Sequence, residues 1–285
     1  MKNKVSCLVL LCVICLLTNC KQTKTVNKVS TTKKNDSVSR IINNHDFKLI
    51  IEDAKLDGSI LIFDPKKSTF YSNDFQWART SRPPASTFKI VNSIIGLETG
   101  LIKGEDFIFK WNGKYRVNPA WRKDLTFREA FQLSCVPCYQ ELAKEIGAER
   151  MKYYVSKIQY GNMKIDSTNI DTFWFEKGSY INQFQQIAFL ERLYNSKLPI
   201  SQENEMIVKK LILIEKGDDY VLYGKTGRTI VDKMHNGWFV GYMEKNNQLY
   251  YFATNINPSK EVYSGNFYST IKKITIQALE KNHSY

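Results

Sequence analysis

Past residue 20 this 285-residue chain has only two cysteines, Cys135 and Cys138. That scarcity excludes a small fold stapled by disulfides. The three histidines, His45, His235 and His283, stand far apart, and Cys135-Val136-Pro137-Cys138 has no second C-x-x-C to complete a zinc site, so no metal is expected. There is no sustained hydrophobic run after residue 17, and the one before it, Val5–Leu17, has thirteen residues, too few to span a bilayer comfortably. Acidic residues are in deficit: 41 Lys+Arg against 28 Asp+Glu, a formal charge of +13. Eight of those bases and one acid lie in residues 1–40, a local charge of +7, which leaves +6 spread over the other 245. So diffuse an excess does not make the clustered basic face that nucleic acid requires. What the chain does have is apolar material, 43% hydrophobic and 13% aromatic, enough for a sizeable core in one large domain.

The N-terminus has the form of an export signal. Lys2 and Lys4 precede the uncharged run, and Leu17-Thr18-Asn19-Cys20 follows it. The last four residues resemble a bacterial lipobox, with Asn19 where a small residue is usual. Two readings stand: lipidation at Cys20, anchoring the chain to a membrane, or a plain secretory signal. Residues 1–19 are therefore expected to be a signal of lipoprotein type, and residues 20–40, rich in Lys, Thr, Asn and Ser, a polar tether. The expected location is exported and periplasmic, with or without a tether to the membrane.

In the body, Gly58–Asp64 and Ser68–Asn73 flank a Pro-Lys-Lys turn and predict a β-hairpin. A stretch from about Ser86 to Gly96 is apolar on nearly every side, which predicts a helix buried at the centre. Residues 122–158 read as helix in pieces, broken at Pro137 and Gly147, and residues 182–194 as an amphipathic helix. Tyr220–Thr226, Gly237–Met243 and Leu249–Ile256 predict antiparallel strands, followed by a helix over about 266–282. Strands at both ends with helices between predict an α+β fold: a central antiparallel sheet flanked by helices, with a helical subdomain.

Ser86-Thr87-Phe88-Lys89 places a hydroxyl and an amine on one face of a helical turn. The S-x-x-K pattern alone is weak, since Ser30–Lys33 and Ser269–Lys272 match it too. The context of Ser86 differs. Pro83-Pro84 fix the chain entering the turn, and the apolar helix beyond offers burial that lowers the pKa of Lys89 toward use as a base. Ser134-Cys135-Val136 and Lys225-Thr226-Gly227 follow in order, the second on a predicted strand where Gly227 admits close approach of a ligand. Cys135 and Cys138 read as a structural pair, open to a disulfide in an oxidising compartment.

Taken together, Pro84–Lys89, Ser134-x-Val136-Pro137, Tyr160-Gly161-Asn162, Phe173-Trp174, Lys225-Thr226-Gly227 and Gly237–Gly241 resemble the class D, oxacillinase-type serine β-lactamases over roughly residues 47–282. The resemblance implies the serine β-lactamase and penicillin-binding transpeptidase-like fold and a catalytic domain over 41–285. It implies β-lactams as substrates, with Ser86 as nucleophile and Lys89 as general base. Lys89 would be carboxylated by carbon dioxide or bicarbonate, without any other cofactor. Val136 would pack over that carbamate and the Trp174 indole would donate to it. The backbone N–H groups of Ser86 and Arg228 would form the oxyanion hole, Ser134 would relay a proton, and Lys225, Thr226, Gly227 and Arg228 would bind substrate. An Arg that many members carry near the last helix would fall near Phe267 here, and the chain has no Arg after Arg228. Carboxylate binding is then expected to lean on Lys225, Thr226 and Arg228. The alternative is a penicillin-binding or β-lactam-sensing domain that is acylated without efficient turnover.

Overall fold

The computed structural model describes residues 39–258 and 265–283. The signal, Cys20 and all but the end of the tether fall outside these residues; Arg40, the tether's last residue, already begins a strand. Seven strands, β1 (Arg40–Asn43), β2 (Asp57–Asp64), β3 (Thr69–Ser72), β6 (Leu213–Lys216), β7 (Tyr220–Val231), β8 (Met234–Lys245) and β9 (Gln248–Asn257), form one sheet in the order β1-β3-β2-β9-β8-β7-β6. Every pairing is antiparallel except β1 with β3. A two-stranded ribbon joins β4 (Ile108–Phe109) to β5 (Leu125–Thr126). The helices are α1 (His45–Asp53), α2 (Phe75–Arg79), α3 (Lys89–Glu98), α4 (Phe127–Gln132), α5 (Val136–Ile146), α6 (Ala148–Lys157), α7 (Gln183–Tyr194), α8 (Gln202–Leu211) and α9 (Phe267–His283).

Alternation along the central strands builds two cores. Ile60, Ile62, Phe239 and Phe252 face a layer made with Phe47 and Ile51 of α1 and Ile271 and Leu279 of α9. Leu61, Phe63, Trp238, Val240, Tyr251 and Ala253 face the opposite way, into the larger core of α2 to α8. Covering both faces explains why β8 and β9 read as continuous apolar runs rather than alternating ones. Gln183, at the start of α7, donates from Nε2 to the carbonyls of Ser59 and Ala253, which ties the helical layer to β2 and β9. The α+β architecture, a central and mostly antiparallel sheet flanked by helices, is as expected.

Several local expectations need correction. Ser86 is not on an α-helix; Ala85–Phe88 form a 3-10 turn and α3 begins at Lys89. Three residues per turn bring positions i and i+3 into register, a closer match than an α-helix gives. Pro137 does not break a helix. It sits in the first turn of α5, where its missing N–H costs nothing, and the break lies at Leu133–Cys135 instead. The strands β7 to β9 run further than expected, because β7 and β8 extend through a tight turn at Asp232 and Lys233, both at positive φ.

Candidate functional site

The turn that carries Ser86 is held from four directions. The Pro83 carbonyl accepts from Trp238 Nε1 at 2.9 Å and from Asn236 Nδ2 at 2.8 Å, both on β8. Thr87 Oγ1 donates to the Pro84 carbonyl at 2.7 Å and accepts from Gln186 Nε2 of α7 at 3.0 Å. Tyr160 OH donates to Gln186 Oε1 at 3.1 Å, which closes a buried polar network under Ser86. On the fourth side is β7. A Cβ added at Gly227 would lie 2.9 Å from the backbone nitrogens of Ser86 and Thr87, so only glycine lets this strand come so near. Ala85, just before the serine, is held at φ 52°, a conformation that costs a non-glycine residue roughly 1 kcal/mol.

In that setting Lys89 Nζ donates to Ser86 Oγ at 3.0 Å. Lys89 is 1% exposed. Burial, and secondly the charge of Lys225, push its pKa well below the usual lysine value. Its amine lies 5.3 Å from the Tyr139 ring centroid and 5.6 Å from that of Phe175. Trp174 stacks on Phe88 with centroids 5.8 Å apart and meets Phe173 at 5.0 Å and Phe175 at 5.3 Å. Its indole Nε1 is buried without a hydrogen-bond partner. A buried N–H left unpaired costs roughly 1–3 kcal/mol, which marks this donor as waiting for an acceptor.

A cleft of about 920 Å³ opens above Ser86 and is lined by Ser134, Val136, Phe175, Lys225, Thr226 and Arg228. Ser134 stands between α4 and α5 at φ 52°. Lys225 Nζ donates to the Thr226 carbonyl at 3.0 Å and lies 5.6 Å from the Phe131 ring centroid. Burial lowers its pKa to about 7. From Lys225 to Val231, β7 pairs with β8, while β6 reaches only Val221–Tyr223. The strand therefore presents an edge to the cleft. The Arg228 guanidinium lies over the rings of Tyr268 (5.5 Å) and Phe267 (6.0 Å). Phe267 itself is buried beneath Gly237 and cannot stand in for an arginine, whereas Tyr268 and Lys272 reach the cleft wall.

Ser86, Ser134, Val136, Lys225, Thr226 and Arg228 thus line one cleft, Lys89 is buried against Ser86, Gly227 lies against the backbone of Ser86 and Thr87, and Trp174 lies in the ring cluster around Phe88. In the decoy Ser269–Lys272 both side chains are engaged elsewhere: Ser269 Oγ donates to the Asn266 carbonyl, and Lys272, at the cleft wall, pairs with Glu215 at 2.5 Å. The other decoy, Ser30–Lys33, lies outside the described residues. Cys135 and Cys138 form a disulfide. Sequence reasoning missed Tyr139, Phe131, Phe175, Gln186 and Asn236, residues brought in by distant elements with no local motif. Only Phe175, adjacent to Trp174, carried a signal. No group of three His, Cys, Asp or Glu side chains that could hold a metal ion occurs among the described residues.

The family model of the penicillin-binding protein transpeptidase domain matches residues 51–275. The chain is 42% identical over 209 residues to Beta-lactamase OXA-10 of Pseudomonas aeruginosa, covering 72% of this chain and 78% of that protein. It is 36% identical over 225 residues to the probable beta-lactamase YbxI of Bacillus subtilis, covering 79% and 80%. Of solved structures, a class D beta-lactamase from Sebaldella termitidis matches with a TM-score of 0.81 at 34% identity, over 86% of this chain and 99% of that one. The class D beta-lactamase YbXI from Nostoc matches at 0.78 and 39% identity, over 82% and 97%.

Proposed function

We propose that this chain, which belongs to the class D β-lactamase family and is a β-lactamase, opens β-lactam antibiotics through an acyl-enzyme on Ser86 with Lys89 as general base. The observation that carries this reading is a fully buried lysine amine 3.0 Å from the Ser86 hydroxyl. Burial favours the neutral amine, and only a neutral amine reacts with carbon dioxide. The orphaned Trp174 Nε1 supplies a donor for the oxygens so gained. The residues present therefore fit a carboxylated Lys89. The added group gives that side chain a negative charge and an oxygen base.

The chain's own residues do the rest. Ser86 Oγ gives its proton to the Lys89 side chain and attacks the lactam carbonyl. The backbone N–H groups of Ser86 and Arg228 face the oxygen that becomes negative, a contribution of roughly 3 kcal/mol for each donor in comparable sites. Ser134 passes a proton to the lactam nitrogen as the ring opens. Lys225, Thr226 and Arg228 grip the substrate carboxylate, with Gly227 allowing the strand to lie close enough. Val136, Phe175 and Tyr139 wall the amine from bulk water, so that the water deacylating Ser86 arrives singly and is deprotonated at Lys89. We further propose that residues 1–19 export the protein and that Cys20 carries its lipid; labelling of the full chain by a radioactive fatty acid, lost in Cys20→Ala, tests this.

The test of the catalytic reading is hydrolysis of a chromogenic cephalosporin by the full chain, with and without bicarbonate. Turnover that rises with bicarbonate is expected, and Ser86→Ala should abolish labelling by a fluorescent penicillin. A single stoichiometric burst without turnover, even in bicarbonate, would overturn hydrolysis in favour of a domain that is only acylated.

A further inference from the structure

Ser134 and Val136, assigned above to proton relay and water exclusion, flank a cysteine that is not free. Cys135 bonds to Cys138 across the first turn of α5, and both are 0% exposed. Cys135 Sγ also caps that helix, accepting from the Cys138 backbone N–H at 3.3 Å. Around this bridge the contacts close into a ring. Arg116 Nη1, on a guanidinium that is itself buried, lies 3.7 Å from Cys138 Sγ and donates to the Trp121 carbonyl at 2.9 Å. Trp121 Nε1 donates to the Leu133 carbonyl at 3.1 Å, and Leu133 leads directly into Ser134. Ser134 therefore sits between two anchored residues, in a left-handed conformation at φ 52° that its own side chain does little to favour.

We propose that the Cys135–Cys138 disulfide is a positioning device for the reaction: it holds Ser134 and Val136 in the places where they act on Ser86 and Lys89. The proposal rests on the roles given to those two residues above. Bonded sulfurs lie about 2.0 Å apart, whereas two thiols need roughly 3.5 Å or more. In a close-packed interior with neither sulfur exposed, that extra 1.5 Å or so is taken up by side-chain rotation against packed neighbours and by the backbone, and Ser134 and Val136 are the adjoining residues. A displacement of about 1 Å in a catalytic group costs up to about 100-fold in rate. Reduction is balanced as follows: a dithiol gives two electrons and two protons, the Sγ–Sγ bond becomes two S–H groups, and the dithiol closes to its own disulfide.

The experiment compares three forms of the full chain: oxidised, reduced with dithiothreitol and freed of reagent without air, and Cys135→Ala/Cys138→Ala. Peptide mapping by mass spectrometry should find the Cys135–Cys138 bridge in the first form alone. The two bridge-free forms should acylate with a fluorescent penicillin about tenfold more slowly and need several-fold more bicarbonate for half-maximal turnover. A bridge with a merely structural role would lower the melting temperature and leave acylation rate and bicarbonate dependence unchanged. That result overturns the proposal, as does a fully active oxidised preparation without the bridge. If the double alanine variant does not fold, the reduced wild type gives the same reading. Failure of the site assignment itself appears separately, as absence of labelling at Ser86 in the oxidised wild type, and removes the proposal with it.

Discussion

Replacing Trp174 by Phe would remove the indole N–H and only part of the ring. The indole stacks on Phe88 and edges onto Phe173, contacts a phenyl ring keeps in large part. Alanine there would forfeit roughly 3–5 kcal/mol of packing and let water reach Lys89, confounding the result. The Nε1 donor has no partner in the unmodified protein. If it donates to the oxygens that carbon dioxide adds to Lys89, it contributes the roughly 1.5–3 kcal/mol of a hydrogen bond to a charged group. The bicarbonate concentration for half-maximal activity should then rise roughly 10- to 100-fold in Trp174→Phe, with turnover recovering at saturation. Initial rates of cephalosporin hydrolysis across a bicarbonate titration of degassed protein read this, and the carbon-13 carbamate resonance reads it without activity. Stability should move in an unusual way. The packing lost with the smaller ring is the same in either buffer, and without carbon dioxide the donor lost is an unpaired one, so the melting temperature should fall less in degassed buffer than in bicarbonate. Equal half-saturation in both proteins would refute the role of the indole.

Three further outcomes follow from the same site. Gly227→Ala places a Cβ 2.9 Å from the backbone nitrogens of Ser86 and Thr87, so acylation by a fluorescent penicillin should slow by about 100-fold; an unaltered rate would contradict the close approach of β7. Burial holds the folded pKa of Lys225 at about 7, below its unfolded value near 10.5, so the unfolded chain binds the extra proton between those limits. Stability should therefore rise with pH across that window and be lowest below it, and Lys225→Met should flatten the melting-temperature profile. Gln186→Leu removes one partner each from the buried hydroxyls of Thr87 and Tyr160, which keep each other and the Pro84 carbonyl, and should cost roughly 1 kcal/mol in denaturant unfolding, with a fall in acylation rate from the loosened turn.

Ser86, Lys89 and the Lys225–Gly227 strand were legible because each lies in a short motif whose chemistry depends on neighbours in sequence. The decoys show the limit of that signal. Ser269 and Lys272 match the spacing, and only tertiary structure reveals that each is spent elsewhere. The hairpin, the buried α3 and the last three strands were legible from periodicity. Helices α1 and α8 were not, because each buries only two or three residues against a neighbour and its polar face dominates the pattern. Strands β1 and β6 are four residues each and lie at the sheet edges, where pairing partners distant in sequence decide the outcome. The supports of the nucleophile turn were equally hidden: Asn236 and Gln186 are ordinary polar residues until the fold places them against Pro83 and Thr87.

Two lysines buried in one cleft pose an electrostatic problem that bears on how the site is switched on. Each is opposed by burial in its charged form, and Lys225 further lowers the proton affinity of Lys89. With both amines bare, burial favours the neutral form of Lys89, and Lys225 is near its own titration point at neutral pH. Carboxylation of Lys89, as proposed, would reverse the sign of this coupling. An anion would replace a neutral amine, and Lys225 would hold its proton to higher pH. The cation that grips the substrate carboxylate would then be secured by the same event that creates the base. KM for a penicillin should begin to climb above about pH 7 in degassed protein, and the climb should move to higher pH when bicarbonate is saturating. Measuring KM against pH under both conditions decides it. Two profiles that rise at the same pH would show that Lys225 does not sense the state of Lys89, and the two lysines would have to be treated as independent groups.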